Sequence, residues 1–152
     1  MKVWLMGGSL NMAVDGSLYH TEVINEHGLT GQSYVRGNEG LALGVSSSLL
    51  NSPGTNPEQF IGFALSTCFN ATIGIVERQH NIEPDSIVHT GVDIVKDTKG
   101  YKFIVQAQIF FNKLDNDQGQ QMVDEALDQC PVAKLLKANE NVTFEVVDKF
   151  TL

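Results

Sequence analysis

Positive charge is scarce in this chain, with ten Lys and Arg against eighteen Asp and Glu and a formal net charge of −8. Such a field repels phosphate backbones and anionic lipid surfaces, which argues against nucleic acid and membrane partners. Cysteine is scarce too, at two residues in 152. A chain of this length closes a core without disulfide staples, so the two are expected as free thiols or as a transient, working disulfide in a reducing compartment. No apolar run reaches the roughly 18–20 residues that span a bilayer. The opening MKVWLMGGSLNMAV, with one lysine and an apolar patch broken by glycines, makes a poor secretory signal. The expected location is the cytoplasm. No internal repeat or linker interrupts the chain, and His20, His27, His80 and His89 lack metal-like spacing.

What is present is 42% hydrophobic and 18% charged residues, the balance of a folded globular domain. The chain centres on Gly54-Thr55-Asn56-Pro57-Glu58-Gln59. Asn56 is a good N-cap, Pro57 suits the first helical position, and Glu58 complements the helix dipole. Phe60 to Val76 (FIGFALSTCFNATIGIV) is apolar nearly all the way round, a pattern that predicts a helix covered on every side. After Val76 the pattern turns amphipathic (Glu77, Arg78, Gln79) and stops before Pro84.

Residues 1–17 read as a leader or an extra edge strand, and residues 18–152 as a single domain. Leu18–Ile24, a strand around Gln32–Arg36, and Leu41–Val45 read as an antiparallel meander with turns at Glu26–Gly31 and Asn38-Glu39-Gly40. Ile87–Lys96 and Gly100–Asn112 form the clearest hairpin, the second strand alternating Tyr101, Phe103, Val105, Ala107, Ile109 and Phe111 against Lys102, Gln106, Gln108 and Asn112. A helix capped by Asp115 or Asp117 carries Met122, Val123, Ala126, Leu127 and Cys130 on one face. Pro131 stops it, Val132–Lys137 makes a further short turn, and Asn141–Phe150 closes the chain as a strand. The order is that of an α+β fold.

Cys68 and Cys130 sit on inward faces of two different helices. A buried thiol is commonly only a small hydrophobe. The pair can equally work as a redox couple if the two Cα atoms lie within ~7 Å, through a thiolate, a sulfenic acid and a disulfide. Cys130, just before Pro131, is placed to cap the next short helix, where the dipole favours a thiolate. Cys68, in mid-helix, has no such help from its own backbone.

GTNPEQF (54–60), Ser66-Thr67-Cys68-Phe69 and Cys130-Pro131-Val132-Ala133-Lys134-Leu135-Leu136, in this order, resemble the OsmC/Ohr family of thiol-dependent peroxidases over roughly residues 18–150. The resemblance implies that Cys68 is the peroxidatic thiol, attacking the O–O bond of an organic or fatty-acid hydroperoxide and releasing an alcohol. Cys130 resolves the sulfenic acid to an intramolecular disulfide. No bound cofactor is implied; an external dithiol protein, such as one bearing lipoyl groups, restores the thiols. It further implies an intertwined homodimer with two long helices packed centrally. Glu58 and Cys68 lie ten residues apart, about 15 Å along one helix. In that picture Glu58 serves the partner chain or acts through an intermediary.

The family's thiolate-stabilising arginine, held by the glutamate, is at neither usual place. Leu29 stands in the turn after the first strand, and the loop Val45–Pro53 has no arginine. Arg36 is the nearest candidate, with a solvated strand-end charge as the plain alternative. The Ohr-type tyrosine after Cys-Pro is also absent, since Val132 follows Pro131. Without a cation, Cys68 is expected to have a raised pKa. That motivates a second expectation, a catalytically weak member binding an apolar small molecule at the dimer interface.

Overall fold

The alternation of apolar and polar residues along two long segments builds the sheet on which the rest of the C-terminal half packs. Residues 13–36 and 41–151 are described by a computed structural model. They fall into two compact units, Met1–Thr55 and Asn56–Leu152. The leader expected at residues 1–17 lies largely outside the described residues, as does the turn at Asn38-Glu39-Gly40.

In the first unit β1 (Val23–Glu26), β2 (Gln32–Val35) and β3 (Ala42–Gly44) form the expected antiparallel meander in the order β1-β2-β3. The strands are shorter than the sequence implied. Pairing starts at Val23↔Val35, with the Arg36 N–H still donating to the Glu22 carbonyl at 2.9 Å, so Leu18 to Thr21 lies outside it. Leu18 is fully exposed. Arg36 lies one residue beyond β2, and Val45 makes a single bridge to Thr55. Gly54 is required where it stands: its φ is +132°, and a Cβ there would meet the Gly44 carbonyl oxygen at 3.1 Å.

The second unit starts with α1 (Pro57–Gln79), entered as the sequence predicts. The Asn56 side chain accepts from the Gln59 N–H at 2.9 Å, with Pro57 in the first turn behind it. The helix ends where Asn81 takes a left-handed φ of 58°. By length and composition α1 is long enough to cross a bilayer, contrary to the expectation that no apolar run reaches that length. It packs against two further helices, α2 (Asn116–Gln129) and α3 (Pro131–Leu136), and against β4 (Ile87–Lys96). Leu65, Phe69, Ile73 and Val76, three to four residues apart, form its buried stripe.

Within one chain α1 is covered on one side only, with Phe63 68% and Ile75 49% exposed. It does not turn amphipathic at Glu77, as the sequence implied, because Glu77 is completely buried.

β4 pairs antiparallel with β5 (Tyr101–Phe110), and β5 pairs in parallel with β6 (Val142–Val146). A parallel pair needs a crossover, and α2 with α3 supplies it. Asp115, not Asp117, is the cap of α2: it exchanges a reciprocal pair of hydrogen bonds with Gln118 at 2.9 and 3.2 Å. Val105, Ala107, Ile109 and Phe111 meet Leu65, Phe69, Ile73, Met122, Val123 and Ala126 in one core, with Phe69 tilted against Phe144 at 5.0 Å. The other face of β5 is not simply wet. Gln108 is buried because the chain beyond β6 folds over it, exchanging two hydrogen bonds with Thr151. That is why β6 ends at Val146 and not at Phe150: Phe150 leaves the ladder and stacks on His89 with ring centroids 3.5 Å apart.

Candidate active site

Cys68 projects from the middle of α1 at the border between its buried stripe and its exposed face, and is half-buried. The Thr72 hydroxyl donates to the Cys68 carbonyl at 2.9 Å, within the turn that follows. Cys130 is fully buried at the junction of α2 and α3, closing the first as its C-cap and opening the second as its N-cap. The extended backbone at Cys130 (φ −71°, ψ 120°) is what a residue before proline prefers, so Pro131 both stops α2 and aims Cys130.

The two helices bring the sulfurs to 3.3 Å, with the Cys130 thiol donating to Cys68 Sγ. Both thiols are free. Cys130 Sγ also accepts from the Ala133 N–H at 3.4 Å, so it does cap α3 as its position before Pro131 suggests. The Val132 N–H is directed at the Cys68 sulfur. Pro131 has no N–H, so these are the first two donors α3 can offer.

Burial pushes the Cys68 thiol above its ordinary range, the Val132 N–H pulls it back, and the neighbouring Cys130 sulfur pushes it up again. No cation is among the groups that set it, counting the described residues. That direction matches the one expected for Cys68 with no cation beside it, with desolvation as the leading cause.

Arg36 belongs to the first unit, where its guanidinium pairs with the Glu22 carboxylate at 2.6 Å and stays 64% exposed. Glu58 sits half-buried in the first turn of α1. A groove of ≈ 620 Å³ runs along the second unit between α1 and the segment leading into β4, past Asn70, Gly74, Arg78, Pro84 and Asp85; neither sulfur lines it.

Sequence reasoning foresaw Cys130 as a helix cap but missed the action of the Val132 N–H on Cys68, although Cys-Pro at a helix junction is the signal for it. It also missed the role of Glu77. That carboxylate accepts from the Asp85 N–H at 3.3 Å and the Ser86 hydroxyl at 3.2 Å, tying the end of α1 to the segment before β4.

The model of the OsmC-like protein family matches residues 50–145. The chain belongs to the OsmC-like family. It is similar to the organic hydroperoxide resistance protein OhrB of Bacillus subtilis, with 33% identity over 95 residues, 61% of this chain and 70% of that protein. The crystal structure of OhrB superposes with a TM-score of 0.78, covering 86% of this chain and all of that one, at 26% identity. A putative redox protein from Lactobacillus casei superposes with a TM-score of 0.83 at 38% identity, covering 90% of this chain and 96% of that one. Peroxiredoxin OsmC of Escherichia coli is 25% identical over 107 residues, 68% of this chain and 75% of that protein. The α+β fold with antiparallel strands, a long central helix and a second sheet is thus the family's fold.

Proposed function

We propose that this protein is a cysteine-based peroxidase that reduces organic hydroperoxides to alcohols, with Cys68 as nucleophile and Cys130 as resolving thiol. The 3.3 Å separation of the two sulfurs carries this reading. The Cys68 thiolate attacks the outer oxygen of ROOH, an S–O bond forms, the O–O bond breaks, and the alkoxide takes a proton to leave as ROH. Cys130 then attacks the sulfur of the sulfenic acid, an S–S bond forms, and the oxygen leaves as water. An external dithiol reduces the disulfide, and no bound cofactor takes part. Half-burial of Cys68 leaves it open to a substrate while Cys130 stays hidden from it.

The working form in this reading is a homodimer in the cytoplasm, with the exposed row of α1 covered by a second copy. Glu58, about 15 Å along the helix from Cys68, then serves the partner's site. Arg36 is the candidate cation there, since an exposed ion pair such as the one it makes with Glu22 exchanges easily. The alternative of an apolar binder without chemistry draws no support from the relatives, which are named for hydroperoxide resistance and as a peroxiredoxin.

The test is consumption of cumene hydroperoxide by the reduced protein, with mass spectrometry of the product. Cys68→Ser is expected to abolish turnover. Cys130→Ser is expected to accumulate an oxidised Cys68 or a mixed disulfide. Full turnover by Cys68→Ser overturns the proposal.

A further inference from the structure

The sulfurs are arranged so that the charge on one is set by the proton on the other. They lie 3.3 Å apart with a single S–H···S bond between them. Each also faces one backbone donor of the same helical turn: Val132 N–H on Cys68 and Ala133 N–H, at 3.4 Å, on Cys130. One sulfur alone has only one backbone donor; a charge spread over both has two.

The charged groups on the surrounding elements are engaged elsewhere. Glu77 of α1 is bonded to the Asp85 N–H and the Ser86 hydroxyl, and Arg78 of α1 to the Gly74 carbonyl. Glu125 of α2 meets His80, and Asp128 of α2 meets Lys137. Lys134 of α3 acts on Asp128. Glu145 of β6 and Asp93 and Lys96 of β4 are exposed, and Lys102 of β5 pairs across from Val95 near the hairpin turn. Glu58 lies at the far end of α1. Among the described residues, none of these side chains influences Cys68.

We propose that Cys68 and Cys130 work as a shared-proton dithiol, in which loss of the first proton leaves one negative charge distributed over both sulfurs and held by the Val132 and Ala133 N–H groups. The second proton is then retained to much higher pH, because its loss puts two like charges 3.3 Å apart. This deepens the peroxidase reading and rests on it for its use. The monoanion reacts through Cys68, the exposed end of the pair, in the S–O forming step. The retained proton stays on Cys130. When Cys130–S–H meets Cys68–S–OH, the S–S bond forms and that proton leaves with the hydroxyl as water. Cys130 thus acts on Cys68 before any peroxide arrives.

The experiment is a pH titration of thiolate ultraviolet absorbance on the reduced full-length chain, alongside Cys130→Ala and Cys68→Ala, with the two serine variants as replacements should an alanine variant fail to fold. The wild type is expected to lose its two protons in separate steps split by more than about one unit, the second at higher pH than in either single variant. A wild-type curve equal to the sum of the two single-variant curves overturns the proposal. The donors are tested by Val132→Pro, which removes one N–H in a first turn that tolerates proline. A backbone ester at Val132 replaces it if that variant does not fold. The first step is expected to move up; an unchanged first step in the folded variant overturns the role of the helix. No hydroperoxide enters these measurements, so their failure leaves the peroxidase reading standing. A chain that splits its titration but consumes no hydroperoxide overturns only the latter.

Discussion

The Glu77 carboxylate lies 3.2 Å from the Ser86 hydroxyl, fully buried, with the same hydroxyl 3.0 Å from Asn70 Oδ1. A carboxyl group in this place locks the C-terminal end of α1 to the strand that follows, and its proton affinity becomes a stability question.

Burial, first, and the nearby Asp85 charge push the Glu77 pKa up, against hydrogen bonds from Asp85 N–H and Ser86 that pull it down. The net direction is upward from 4.5. A group whose acid form is favoured by folding stabilises fully below its unfolded pKa and less as pH rises through its folded one. Urea unfolding is therefore expected to show a loss of stability from pH 4.5 upward that Glu77→Gln, which cannot ionise, does not share. Parallel pH profiles for the two proteins contradict this assignment.

Gln108 gives a second prediction. Its amide donates to the Thr151 hydroxyl at 2.6 Å and accepts from the Thr151 N–H at 2.9 Å, under cover of the C-terminal segment. Thr151→Val keeps the shape and the N–H but strips the hydroxyl, leaving a buried NH₂ without its acceptor. The cost expected is about 1–3 kcal/mol. Thermal melts of Thr151→Val and of Gln108→Leu/Thr151→Val check it: the double variant removes the stranded NH₂ and should recover part of the loss, since residue 151 is exposed and its N–H, freed from Gln108, turns to water.

Gly119 offers a case where two effects compete. Alanine is worth roughly 1 kcal/mol over glycine inside a helix. A Cβ at 119, however, would stand 2.8 Å from the Phe111 ring and 3.2 Å from a Val146 methyl, both in the packed interior. Overpacking of this kind costs about 1–3 kcal/mol. Gly119→Ala is thus expected to lower the melting temperature, and Phe111→Leu in the same chain to relieve much of that loss. A Gly119→Ala protein that melts higher means the ring moves aside freely.

Local chemistry made much of this fold readable. Asn56-Pro57-Glu58 announced the start of α1, the alternation from Tyr101 to Phe111 announced β5, and Cys130-Pro131 announced a helix junction with the sulfur as cap. What stayed hidden depends on partners distant in sequence. Glu77 looked like the first residue of a wet helix end because nothing near it reveals that Asp85 and Ser86 fold back to meet it. Gln108 read as a solvent-facing position because Thr151, 43 residues away, supplies the cover. The pairing of Cys68 with Cys130 was legible as a possibility from their inward positions. The distance itself follows from the angle at which α1 meets α3, which no single segment encodes. The N–H donors to both sulfurs were invisible as residue types, since any amino acid but proline carries one.

The exposed row of α1 carries the last prediction. Phe63, Thr67, Ala71 and Ile75 follow one another at four-residue spacing and so share one face. Phe63 and Ile75 are the large apolar members, at 68% and 49% exposure. Covering each is worth roughly 1.5–3 kcal/mol per side chain, and a two-fold interface repeats the gain on the second copy. Light scattering after size exclusion is expected to give the mass of two chains. Phe63→Glu places a carboxylate on this face in both copies, close to its own symmetry mate if the helices cross there, and is expected to give one chain's mass with unchanged far-ultraviolet circular dichroism. Ile75→Glu, three turns along the same row, should do the same if the helices pack along their length. It should leave the dimer largely intact if they cross near Phe63 alone. A wild-type protein that runs as a single chain at every concentration tested contradicts the homodimer.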